Sequence, residues 1–172
     1  MSALESLQVL LVDDNQHMRA IVAAILKGAG IGRTYEVADG SEALRVLRER
    51  SIDLAIVDFN MFPLDGVEFT RLVRNAPDSA NPYLPIIMMT GHAERYRVCE
   101  ARDAGVTEFI VKPVTANSVL SRIQAVIFKP RQFVKSEGYN GPCRRRISDP
   151  NYAGPRRRAT DEAQVEQTED AA

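Results

Sequence analysis

Five polar positions stand where short apolar runs end, and their side chains belong to one chemistry. Asp13 and Asp14 follow the run at 8–12 (QVLLV), Asp58 follows 54–57 (LAIV), Thr90 follows 85–89 (PIIMM), and Lys112-Pro113 follows 108–111 (EFIV). Carboxylates brought within a few ångströms of one another repel, which raises their pKa values unless a cation sits between them. A hard divalent ion is the natural occupant. Few carboxylates with waters completing the shell suit magnesium, with manganese as the alternative. An ammonium at Lys112 would answer an anion arriving beside that ion. With a hydroxyl at Thr90 the pocket offers three kinds of support for the three oxygens of a phosphoryl group.

Such a pocket requires a fold that gathers the ends of separate runs. The runs at 8–12, 35–38, 54–57, 85–89 and 108–111 are short, bounded by turn residues and apolar enough for buried parallel strands. Between them the pattern changes to helical spacing. Met18, Ile21, Val22, Ile25 and Leu26 line one face of 17–27, and Gly28 and Gly30 stop it. A second helix follows 39–41, a third carries Phe69, Leu72 and Val73, a fourth spans 95–104, and a fifth spans 116–128 with Thr115 as its N-cap. Strict alternation of strand and helix predicts an α/β fold: a (βα)5 doubly wound, parallel five-stranded sheet of flavodoxin-like form. Ligands bind such sheets beyond the carboxyl ends of the strands, where the five polar positions lie.

Composition excludes several classes. The 172 residues are 45% hydrophobic and 26% charged, an ordinary globular balance. Cys99 and Cys143 stand far apart with no metal-binding spacing, which excludes a zinc site or a disulfide framework and makes a cytoplasmic location the expectation. Asp13 and Asp14 interrupt the first apolar run, and no segment is long enough to insert into a membrane. The net charge of −1 conceals segregation. Residues 1–128 hold 13 bases and 16 acids, residues 129–158 nine bases and two acids, and residues 159–172 five acids alone.

Taken together, Asp13-Asp14, Asp58, Thr90 and Lys112-Pro113, each immediately after its own strand, resemble the receiver domain of two-component response regulators, over residues 7–128. The resemblance implies that Asp58 accepts a phosphoryl group from a sensor histidine kinase or a phosphotransfer protein. It further implies that Asp14 binds the metal directly, Asp13 mainly through water, and Asp58 and the backbone carbonyl of Asn60 complete the set. Lys112 and Thr90 would stabilise the phosphate, Thr90 and Phe109 would switch together, and His92 and Asn60 would tune the phosphorylated lifetime. The protein is then no ordinary enzyme, since it catalyses only its own phosphorylation and dephosphorylation, and it signals by binding an unidentified protein target; a chemotaxis-like messenger, a phosphate sink and a relay intermediate all fit these residues. Two departures stand out: Phe62 occupies a place where the family commonly has proline, with Pro63 after it, and His92 falls where side chains affect access of water.

Residues 129–172 read as a basic and then acidic tail, extended or disordered, without an effector domain. Within it Tyr139, Arg144, Arg145 and Arg146 recur in pattern as Tyr152, Arg156, Arg157 and Arg158, each tyrosine preceding Gly-Pro and three arginines. An aromatic anchor beside bidentate donors suits an acidic or phosphate-bearing partner. No nucleic-acid recognition fold can be built from the tail. Two alternatives remain beside the leading assignment. One is a basic-tail binder whose receiver controls exposure of the arginines. The other, remote, is an aspartyl-phosphate phosphatase of the haloacid dehalogenase type, which needs an Asp-x-Asp pattern that Asp13-Asp14-Asn15 lacks.

Overall fold

The computed structural model describes residues 4–91 and 95–144 and the backbone of 164–166. Its elements run β1 (Gln8–Val12), α1 (Gln16–Gly28), β2 (Arg33–Val37), α2 (Gly40–Glu49), β3 (Leu54–Asp58), α3 (Gly66–Asn75), β4 (Ile86–Thr90), α4 (Arg95–Ala104), β5 (Glu108–Val111) and α5 (Ala116–Phe128). The five strands form one parallel sheet in the order β2-β1-β3-β4-β5. This is the doubly wound α/β sheet expected from the alternation.

Alternation within each strand builds two cores. Leu10, Val12, Ala55, Val57, Ile86 and Met88 face one side and pack with Ala43, Val67, Phe69, Val73 and Ala101 from α2, α3 and α4. Val9, Leu11, Leu54, Ile56, Ile87, Met89 and Ile110 face the other, against Val22 and Leu26 of α1 and Val119, Ile123 and Val126 of α5. Both faces being covered explains why the central strands are apolar at 9–12, 54–57 and 86–89, up to the polar residues at their carboxyl ends. The boundary of β2 differs from expectation: it begins at Arg33, because pairing with β1 starts at Gln8↔Arg33 and an edge strand can carry polar residues. Side-chain caps set the helix starts. Asn15, Asp39, Asp65 and Thr115 each accept from backbone amides of the first turn, with capping boxes at Asp65/Glu68 and Thr115/Ser118. Because Asn15 caps α1, Asp13 and Asp14 are left for other work.

Beyond Phe128 the described residues are 129–144 and 164–166, and part of this stretch, expected to be extended or disordered, is paired. β6 (Phe133–Ser136) and β7 (Tyr139–Pro142) form an antiparallel hairpin, and β6 pairs on its other edge with β8 (Gln164–Glu166). Too poor in apolar residues for a core of its own, the hairpin borrows one. Phe133 meets the Tyr83 ring edge-on at 4.8 Å, and the Arg74 guanidinium lies 5.1 Å from the Phe133 centroid. Gly105, at φ +106°, and Gly141 let the hairpin backbone reach the turn between α4 and β5. A Cβ on Gly105 would come within 2.8 Å of the Asn140 carbonyl oxygen, and one on Gly141 within 2.8 Å of the Gly105 Cα. Ion pairs of Arg131 with Glu108 and of Arg144 with Asp103 flank the contact.

Candidate active site

Parallel register brings the acids together. β1 and β3 are adjacent, with Val12 opposite Val57, so the next residue on each chain emerges at the same end of the sheet. Asp13 and Asp58 are buried, Asp14 is exposed, and one oxygen from each of the three carboxylates lies within 4.8 Å of the others. Gly66 helps shape this end of β3: its amide donates to the Phe59 carbonyl at 3.1 Å, and a Cβ there would stand 2.4 Å from the Asp58 carbonyl oxygen. The loop from Asp58 to Gly66 therefore folds tightly back onto its strand. Phe62 in that loop is 83% exposed, so the ring that replaces the family's usual proline contributes nothing to the core.

Lys112 Nζ contacts Asp58 Oδ1 at 2.6 Å. The lysine is aimed by its own backbone, whose amide donates to the Thr90 carbonyl at 2.8 Å and ties the end of β5 to the end of β4. Thr90 is 3% exposed and ends β4 next to Asp58, which is paired with Met89. Phe109 is half-buried, opposite Met88 in the register, and packs against the core on the α4 side. Asn60 is exposed, and its Oδ1 accepts from Arg97 Nη1 at 2.9 Å. His92 lies outside the described residues.

The electrostatics match a site built for a cation. Burial is the largest influence on Asp13 and pushes its carboxyl above the ordinary range, opposed by a bond from the Asn15 amide; Asp58, Lys112 and Asp14 add smaller effects. Burial likewise raises Asp58, and the Lys112 bond pulls it back. Asp13 Oδ2 is buried without a hydrogen-bond partner. An orphaned buried carboxylate oxygen beside two more carboxylates is the arrangement a divalent ion would complete, so the residues fit magnesium.

A consequence can be measured. Asp13→Asn removes a charge from this cluster and is expected to stabilise the metal-free protein by about 1 kcal/mol while weakening its stabilisation by magnesium. Between the ordinary value of 3.8 and the raised native value, the native carboxyl holds more protons than the unfolded one. Metal-free stability therefore falls as pH rises through that window, and the variant lacks the Asp13 share of this fall. Urea denaturation with and without magnesium checks both; a variant that magnesium stabilises as well as wild type would remove Asp13 from the metal site.

Several participants escaped sequence reasoning. Arg19 Nη1 donates to the Asp13 carbonyl at 2.7 Å, and Arg97 lies over the Phe59 ring at 4.8 Å. A signal for Arg97 was present, since a cation in the first turn of a helix opposes the macrodipole and calls for compensation. Two residues expected to face a partner have partners within the chain. Arg144 stacks 3.8 Å above the Tyr139 ring, and the Tyr139 hydroxyl donates to the Pro142 carbonyl at 2.6 Å. Arg145, Arg146, Tyr152, Arg156, Arg157 and Arg158 lie outside the described residues.

Comparison with known proteins agrees with this geometry. The family model for the response regulator receiver domain matches residues 9–124. The chemotaxis protein CheY of Pseudomonas aeruginosa is 35% identical over 120 residues, covering 70% of this chain and 95% of its own. CheY-3 of Vibrio cholerae is 34% identical over 122 residues, covering 71% and 92%. Among solved structures, CheY4 of Vibrio cholerae matches with a TM-score of 0.65 at 33% identity, covering 70% of this chain and 98% of that one. The receiver domain of the sensor histidine kinase PA1611 from Pseudomonas aeruginosa, which carries a magnesium ion coordinated in its active-site cleft, matches with a TM-score of 0.65 at 28% identity and covers 72% and 98%. Sheet order, the acids that converge at its carboxyl end and the matched length all agree, and the chain belongs to the response regulator receiver domain family.

Proposed function

We propose that this protein is a single-domain response regulator that takes a phosphoryl group on Asp58 and signals by phosphorylation-dependent binding to another protein. The observation that carries the proposal is the buried Asp58 carboxylate held 2.6 Å from the Lys112 ammonium beside Asp13 and Asp14. Asp58 is oriented by that contact and by the Asn60 amide. Its free oxygen attacks the phosphorus of a phosphohistidine on a sensor kinase or phosphotransfer protein, forming an O–P bond as the P–N bond breaks and the imidazole departs. Asp13, Asp14, Asp58 and the Asn60 carbonyl would hold magnesium or manganese. When bound, that ion supplies positive charge to the phosphoryl oxygens.

Lys112 then moves from the carboxylate to the phosphate it has become. Thr90 supplies a hydroxyl from the neighbouring strand end, and Phe109, packed on the α4 side of β5, is placed to follow it. The outcome is a population shift of α4, β5 and α5 triggered by local charge. His92 and Asn60 tune the lifetime of that state. The family is a signalling module and not a class of ordinary enzymes. Partner binding by the tail, the competing proposal, rests on Arg145, Arg146, Tyr152 and Arg156 to Arg158, because Tyr139 and Arg144 are engaged by the chain itself.

Incubation of the full chain with a small-molecule phosphodonor and magnesium tests the proposal. The expected result is a single added phosphoryl group mapped by mass spectrometry to Asp58, lost when the metal is chelated. Modification at any other residue would overturn it.

A further inference from the structure

Asn60 and Arg97 stand 37 residues apart in sequence and meet across the mouth of the site. Arg97 belongs to the first turn of α4, where the positive end of the helix dipole disfavours a guanidinium. Two contacts offset that cost. Nη1 donates to Asn60 Oδ1 at 2.9 Å, and the guanidinium lies over the face of Phe59, 4.8 Å from its centroid. Phe59 is a fixed platform: it is 5% exposed, and its backbone is bonded both to the Met89 carbonyl at 2.8 Å and to the Gly66 amide. Arg97 is thus seated on one residue after the acceptor and grips the next.

The grip has a chemical consequence. An asparagine side chain has one acceptor, its carbonyl oxygen, and two N–H donors. Water that attacks an acyl phosphate must pass a proton or a hydrogen bond to an acceptor near the phosphorus. Asn60 is the exposed side chain two residues beyond Asp58, and the bond from Arg97 takes one of the two lone pairs of Oδ1 and fixes the amide, so this acceptor is not free to turn towards such a water. We propose that Arg97 is a positioning residue that occupies the Asn60 acceptor and thereby prolongs the phosphorylated state, joining α4 to the lifetime of the signal. This rests on Asp58 being the phosphoacceptor.

The test uses the full chain phosphorylated with phosphoramidate and magnesium, then freed of donor, with the surviving phosphoprotein followed on phosphate-affinity gels. Arg97→Gln is expected to speed the decay about five-fold, the worth of one hydrogen bond of about 1 kcal/mol, with its thermal unfolding unchanged. In an Asn60→Ala background the same substitution is expected to change nothing, a non-additivity that a general loosening of α4 would not produce. Decay that is unchanged or slower in Arg97→Gln overturns the proposal, as does equal acceleration in both backgrounds. Wild type that takes no label on Asp58 overturns the phosphoacceptor assignment itself and this proposal with it.

Discussion

Asp58→Asn is expected to lower phosphoryl transfer from a small phosphodonor by at least about a thousandfold, the scale on which loss of a nucleophile is felt. The amide keeps the shape of the carboxylate, so the loss is chemical. A neutral amide oxygen is a poor nucleophile, and it no longer draws Lys112 by charge. Asp13 and Asp14 do not substitute. Asp13 already spends Oδ1 on the Asn15 amide, and Asp14 is exposed rather than held beside the ammonium. The fold is expected to survive, since the exchange removes one member of a crowded acidic cluster together with its single ion pair. Phosphate-affinity electrophoresis checks the loss and a urea titration checks the fold; label that persists on a folded variant would move the acceptor to another side chain.

The second large effect concerns a residue far from the site. Arg74 is 1% exposed, and no carboxylate pairs with it among the described residues. Burial lowers its pKa to about 10, so it remains charged at neutral pH. Its nitrogens instead serve carbonyls: Nε and Nη2 donate to the Gly105 oxygen at 3.1 and 2.9 Å, and Nη1 to the Pro82 oxygen at 2.7 Å. Phe133 lies against the guanidinium, and the Asn140 side chain donates to the Arg74 carbonyl. One arginine thus fastens α3, the loop before β4, the turn before β5 and the C-terminal hairpin. Arg74→Met keeps much of the volume but leaves two carbonyls without donors, at about 1–3 kcal/mol each. Recovered desolvation of the charge offsets part of this. A net loss of about 2–4 kcal/mol is expected, a sizeable share of a stability of about 5–15 kcal/mol. Because Gly105 precedes β5 while Lys112 follows it, the folded fraction should still accept phosphate at Asp58. A urea midpoint equal to wild type would show that water takes over the guanidinium's bonds and that the hairpin is held by other contacts.

The same residue alters the meaning of truncation. A chain ended at Phe128 loses Phe133 and Asn140 from the buried surroundings of Arg74, so altered partner binding by such a fragment would mix loss of the tail with damage to α3 and α4.

The amino-acid sequence by itself determined the sheet, its helices and the residues gathered at its carboxyl end. The physical reason is that those signals are local and periodic. The continuous apolar runs at 54–57 and 86–89 are each readable within one strand, Thr115 caps the residues beside it, and parallel topology places Asp13, Asp58 and Lys112 at one end whatever the details of packing. Tertiary structure alone decided contacts that pair distant residues without any period. Arg97 with Asn60 and Arg74 with Gly105 each join two loops or helix ends through a single guanidinium, and nothing within a few residues of either arginine announces its partner. The hairpin belongs to the same class. Residues 133–142 hold too few apolar side chains to predict burial, and Phe133 becomes core only because Arg74 and Tyr83 form a surface that accepts it, while the bare backbone of Gly105 admits Asn140 and Gly141.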